Sequence, residues 1–280
     1  MGVGSGRSRR SPCRTPSTDP EHRTPVSAQV VTADLLFYLL AIPAAALVGG
    51  SKGGVPMVGM LAVPLLTLVV PPIQAVGMLL PIYVVSDMFG LWVYRHAFDR
   101  RNLAILIPAG IAGVGVGWAT ASLVSEAAVT LMLGLIGLAF CLDRWLRPAT
   151  LEKKPADIPR GIFWGMLTGF TSFVSHAGSP PYQWYVLPQR LDKYVYAGTT
   201  TILFAVINLT KLVPFWMLGQ LNLGSLETAL TLAPAAVIAT FAGARVVKMI
   251  PEGAFFRLVE FGLCAISLKL IWDGAHALAG

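Results

Sequence analysis

Charge is scarce in this chain. Asp, Glu, Lys and Arg together make up 12% of its 280 residues, where a soluble domain carries roughly 25%. That shortage excludes the charged surface of an ordinary water-soluble protein. Cysteine is scarce too. Cys13, Cys141 and Cys264 show no CxxC and no metal-ligand spacing, so neither a disulfide framework nor a zinc site is expected. Cys141 and Cys264 lie in apolar runs and read as packing residues. No nucleophile–base pair, His/Asp/Glu cluster or HExxH is present, which disfavours an enzyme and leaves no cofactor or metal implied. Barrel-type alternation is missing, which argues against strands. The net charge of +7 is not interleaved with aromatics, so no nucleic-acid partner is expected.

Apolar sequence fills the space left by charge. Hydrophobic residues make up 55% and the mean hydropathy is +0.68. Runs near the ~20 residues that a membrane helix needs recur along the chain. Together these predict an all-α polytopic membrane protein. Short apolar segments at 34–49 and 55–70 precede longer ones at 72–94, 103–124 and 127–146. After a charged, proline-bearing stretch, segments follow at 161–177, 180–188, 195–218, 226–247 and 254–273. The division expected is a disordered extension over 1–30, a first membrane repeat over 31–146, a cytoplasmic linker over 147–160 and a second repeat over 161–275. The head shows no small-residue cleavage site and does not read as a signal peptide.

The two halves carry matching landmarks. Pro108–Leu142 aligns without gaps on Pro234–Leu268, and Lys52-Gly53-Gly54-Val55-Pro56 aligns on His176-Ala177-Gly178-Ser179-Pro180. Asp87 then falls near Asn208. Repeats with interruptions in matching places point to a secondary transporter. The basic loops 95–101 and 144–160 read as cytoplasmic, and 125–126 and 219–225, which lack Lys and Arg, as external. Loop 95–101 and its counterpart 219–225 thus lie on opposite sides. Each half becomes a helix pair folded into the membrane plus three spans, the halves inverted. The basic head opposes this, and the loops that flank helices outweigh it.

The interruption at Gly49-Gly50-Ser51-Lys52-Gly53-Gly54-Val55-Pro56 carries the sharpest candidate. A lysine at that depth is expensive in lipid and should face protein or water. At a membrane surface its stem would instead snorkel to the headgroups. Glycines permit a sharp turn and close approach of a ligand, and Pro56 suits the first position of a new helix. In the second interruption, His176 has Ser172, Ser175 and Ser179 nearby, and the helix after Pro180-Pro181 would aim its N-terminus at the same place. Hydroxyls and an N–H donor suit an oxyanion. The expected substrate site is Ser51, Lys52, Gly53, Gly54, Ser175, His176, Gly178, Ser179 and Asn208, with helix starts at Val55 and Ser179. Asp87 and His176 are the candidates for ion or proton coupling. Asp87 can equally pair with Lys52 or Lys211 as a structural ion pair. Gly110, Gly113, Gly115 and Gly117 read as helix packing, since no strand precedes them and no Lys-Ser/Thr follows. Trp145 and the Trp92–Arg95 stretch read as interface anchors.

The residues 46–56, followed by Pro64-Leu65-Leu66, and the second stretch from Gly165 to Pro188 resemble the twin signatures of the TauE/SafE sulfite exporter family, also called the toluene sulfonate uptake permeases. Asn208-Leu209-Thr210-Lys211 is similar to the family's second half as well. The likeness spans about residues 34–275; His176-Ala177-Gly178 departs from it where members often have more glycine. The resemblance implies transport of sulfite, sulfoacetate or a sulfonate across a bacterial cytoplasmic (inner) membrane. A permease for a divalent cation, with Asp87 as ligand, and a membrane enzyme or assembly subunit stay open as alternatives.

Overall fold

The computed structural model describes residues 1–2, 26–54, 56–121, 125–146, 153–221, 223–249 and 252–279. Most of the head expected to be disordered, the helix start expected at Val55 and the first part of the expected linker lie outside the described residues. The chain divides into Met1–Leu35 and Leu36–Gly280. The first unit contributes the helical opening of α1; everything below concerns the second.

Every regular element among the described residues is a helix, with no strand. α1 (Val26–Lys52) ends at the first glycine interruption, and a 3-10 helix (Pro56–Leu61) and α2 (Ala62–Leu66) follow it. α3 (Pro72–Tyr94), α4 (Arg100–Ala119) and α5 (Glu126–Leu146) complete the first half. α6 (Ile158–Ser175) and the short α7 (Ser179–Val186) frame the second interruption. α8 (Lys193–Met217), α9 (Leu223–Met249) and α10 (Glu252–Ala279) close the chain. The break after Lys52 therefore opens into a new helix with Pro56 at its first position, and its first turns are 3-10. α1 begins at Val26, eight residues before the segment expected from 34, and α6 at Ile158, three before the segment expected from 161.

Six of these helices are long and apolar enough to cross a membrane, among the described residues. Their outer faces are apolar too: Leu230, Ile238 and Trp272 are 72%, 70% and 67% exposed, which suits lipid rather than water. Aspartates start three helices. Asp99 accepts from Asn102 N–H at 2.7 Å, Asp157 from Arg160 N–H at 3.1 Å, and Asp192 from Tyr194 N–H at 2.8 Å. Each satisfies a backbone donor that the first helical turn leaves open.

Glycine sets the closest helix contacts. A Cβ on Gly113 would meet the Met166 carbonyl carbon at 2.8 Å, and one on Gly169 would meet the Gly110 carbonyl carbon at 2.7 Å. α4 and α6 thus touch backbone to backbone. α1 and α9 do the same, where Gly243 faces the Gly50 carbonyl oxygen at 2.8 Å from its would-be Cβ. Without a hydrophobic drive in lipid, such close approach supplies the packing energy. Gly115 differs from its neighbours in the series: a Cβ there meets nothing.

α3 and α8 pack together at the centre, with α9 against α3, α4 against α8, and α5 against α10. Of the expected anchors, Trp92 is exposed with the Arg95 guanidinium 5.9 Å from its ring centre. Trp145 is 48% exposed. Tyr94 does otherwise: it is buried, and its hydroxyl donates to the Gly53 carbonyl. An aromatic at a helix end reads as an anchor until the packing partner is known, and here that partner is the turn after Lys52.

Candidate functional site

The chain reverses directly after Lys52. Gly54 has φ +113°, a backbone that side chains rarely adopt. Gly53 lies so close to α9 that a Cβ would sit 2.6 Å from Gly243 Cα. These two glycines build the turn and leave Lys52 as the last residue of α1, 5% exposed. The snorkelling alternative is not what the structure adopts. Lys52 Nζ lies 2.8 Å from Asp87 Oδ1, and Asn208 Nδ2 donates to the other carboxylate oxygen at 2.7 Å. The aromatic faces of Tyr83 and Phe204 lie 5.1 and 5.5 Å from the ammonium. Tyr83 is held in turn by donating to the Gly59 carbonyl at 2.7 Å.

The second interruption places His176 as the left-handed cap of α6, with φ +54°. Its two ring nitrogens have partners that fix the tautomer. Nε2 lies 3.0 Å from the Val76 carbonyl, which can only accept, so Nε2 carries the proton. Nδ1 is then the acceptor, and Lys211 Nζ donates to it at 2.7 Å. Lys211 also donates to the Ser172 carbonyl at 3.0 Å and the Ser172 hydroxyl at 3.2 Å. Three acceptors match the three protons of an ammonium. The His176 ring stacks on Tyr83 with centroids 4.7 Å apart.

One small polar cavity joins the two interruptions. Ser51, Lys52, Tyr83, His176, Ser179, Thr200 and Thr201 are among the residues that line it, and its volume is about 20 Å³, room for one water-sized body. Thr201 donates to the Lys52 carbonyl at 3.4 Å, and Thr200 donates to the Tyr196 carbonyl and accepts from the Tyr182 hydroxyl, each at 2.7 Å. Ser51 donates to the Val48 carbonyl at 2.6 Å. Ser179 opens α7 beside the cavity, but Pro180 and Pro181 carry no N–H, so this helix start offers its dipole and few donors.

The sequence-predicted residues separate into groups. Ser51, Lys52, His176 and Ser179 line the cavity; Asp87 and Asn208 stand behind Lys52; Gly53 and Gly54 form the turn. Ser175 and Gly178 lie off this cavity. Ser175 faces a second one, and Gly178 packs near Phe204, Thr168 and Ser172. Of the two pairings open to Asp87, the structure has Lys52; Lys211 goes to His176. The expected free N–H of His176 is engaged by Val76, so in this conformation the imidazole links Lys211 to the cavity wall rather than offering a donor. Sequence reasoning missed Tyr83, Thr200 and Thr201. Tyr83 stands one turn before Asp87 on the same helix face, and Thr199-Thr200-Thr201 is a hydroxyl run in an apolar helix; both signals were readable.

A sequence profile described as Sulfite exporter TauE/SafE matches residues 38–270. Comparison with curated proteins and with solved structures found no match.

Proposed function

We infer the function from one premise: this chain belongs to the Sulfite exporter TauE/SafE family, whose profile covers residues 38–270 of its 280. Membership makes it an integral, multi-pass membrane protein of a transporter family. The reading we draw is a secondary permease for a small sulfur-containing oxyanion, sulfite or an organosulfonate, in a bacterial cytoplasmic membrane.

The observation that carries this reading is the charge balance around the polar cavity. Lys52 and Lys211 face one carboxylate, Asp87, and the three are 5%, 0% and 2% exposed. His176 is neutral by its hydrogen bonds, so two lysines stand against one carboxyl group, and an incoming anion would hold both lysines in their ammonium form. A buried excess of positive charge is costly unless an anion joins it. Lys52 is the direct contact, with two protons left after its bond to Asp87. The hydroxyls of Ser51, Ser179, Thr200 and Thr201 surround the same space, and Lys211 adds its charge from behind His176. Both Asp87 oxygens already have partners, which favours an anion over the divalent cation that Asp87 would ligate.

A cavity of about 20 Å³ is too small for an oxyanion of sulfur. Substrate entry therefore needs the walls to part, as alternating access requires. Inverted halves supply a route. The contacts exchange between halves: α9 on α3 answers α4 on α8, and α5 on α7 answers α10 on the 3-10 helix. α1 on α9 likewise answers α6 on α4. This pattern supports two repeats that rock around a shared site.

Flux from proteoliposomes tests the reading. Wild-type protein is expected to move sulfite. Lys52→Ala is expected to lose at least roughly tenfold in rate, since a charge-assisted bond is worth about 1.5–3 kcal/mol. His176→Ala is expected to slow transport less. Correctly inserted variants that both transport like wild type would show that the site lies elsewhere.

A further inference from the structure

The polar cavity is not the largest void. A second, of about 470 Å³, lies among α2, the start of α5, the end of α10 and the tip of α6. Its floor is Met60, Ala177 and Leu270, which pack on one another and are 5%, 4% and 9% exposed. Its rim holds Ser125, in the turn before α5, together with Asp273 and Ala277 near the end of α10. Met60 lines both cavities, and it stands beside Lys52 and His176 in the smaller one.

The tip of α6 is shared between the two voids in alternation. Ser175 and Ala177 line the larger, while His176, turned by its left-handed backbone, lines the smaller. The Ser175 hydroxyl oxygen is buried at this wall without a hydrogen-bond partner, a cost that turning toward the void would remove. The rim carries an ion pair, Lys269 with Asp273, whose side chains are 46% and 41% exposed. An ionised pair belongs at water rather than in hydrocarbon. It also offsets the charge of Asp273, which lines the void and would otherwise repel an anion.

We propose that the larger cavity is the vestibule through which substrate reaches the polar site, with Met60 as the partition that sets the size of anion admitted. The proposal rests on reading the polar cavity as an anion site. A methionine suits the role: its unbranched, flexible side chain can swing aside without moving the backbone. A wall of Thr67, Thr130, Ser175 and small apolar residues, with Asp273 paired to Lys269, favours passage over capture.

Two readouts test it. In a Cys13→Ser, Cys264→Ser background, Ala127→Cys is treated with a membrane-impermeant maleimide from each face of sealed vesicles. Cys141, on the same helix and 0% exposed, is the internal control. Ala127→Cys is expected to react from one face only, Cys141 from neither, and the labelled protein is expected to lose sulfite flux. Separately, Met60→Ala is expected to raise the rate for benzenesulfonate relative to sulfite, and Met60→Phe to lower it, each by roughly tenfold, the scale on which a few methylenes in an apolar pocket discriminate. Labelling from neither face, or only by a membrane-permeant reagent, overturns the vestibule, the second result marking a lipid-filled cleft. An unchanged rate ratio in both Met60 variants overturns the partition. A wild type that moves neither anion counts against the anion reading instead, while the labelling still reads the vestibule.

Discussion

Asp87→Ala is expected to be among the least stable single variants of this protein. The substitution strips Lys52 of its carboxylate 2.8 Å away and leaves Asn208 without its acceptor. Removing one partner of a buried ion pair typically costs about 3–5 kcal/mol, because the other charge stays buried alone. The same physics predicts a rescue. Combining Lys52→Met with Asp87→Asn removes both charges and keeps their approximate volumes, so most of the stability should return. Transport should not return, since the cation that faces the cavity is gone. Unfolding of the purified proteins in detergent, read beside flux in proteoliposomes, separates the two effects. An Asp87→Ala protein as stable as wild type would mean that the pair is not closed as described. A double variant that transports would mean that Lys52 only balances Asp87.

The second large effect is steric. Gly169→Leu is expected to prevent α4 and α6 from closing, because the first added carbon already meets the Gly110 carbonyl group. That obstacle is backbone and cannot rotate away. Overpacking of this kind costs about 1–3 kcal/mol or more, and in lipid close approach is itself the source of helix association. Gly115→Leu supplies the contrast. It lies on the same glycine series of α4, yet a Cβ there meets nothing. Size-exclusion profiles of detergent-solubilised fusions are expected to show no monodisperse peak for Gly169→Leu and a wild-type peak for Gly115→Leu. Equal profiles would place the helix contact elsewhere.

Much of this architecture is legible in residue order, and the reasons differ by element. The membrane class follows from charge scarcity and apolar run length, which depend on the solvent rather than on packing. The paired interruptions at Lys52 and His176 are visible because Gly, Pro and charged residues stand out inside apolar helices. The structure has Lys52 and His176 lining one cavity. Partner choice was not legible. Asp87 can reach Lys52 or Lys211 by sequence alone, and only the close seat of the α1 end on α3, where a Cβ on Gly90 would lie 3.3 Å from Lys52 Cβ, assigns it to Lys52. Ser175 and His176 are neighbours in sequence, yet the left-handed backbone at His176 sends them to different cavities. Tyr94 looked like a surface anchor because nothing in its own helix reveals that Gly53 folds against it. Gly115 looked like its neighbours because spacing does not say which side of a helix meets another.

The most direct measurement of the central claim is the position of a bound anion. Selenite, an analogue of sulfite with a strong anomalous signal, can be soaked into crystals at a concentration that saturates inhibition of sulfite flux. The account predicts one selenium peak within hydrogen-bond reach of Lys52 Nζ, in a cavity enlarged from about 20 Å³ and still lined by Tyr83, Ser179, Thr200 and Thr201. A peak distant from Lys52, with that ammonium still bound only to Asp87, would contradict it.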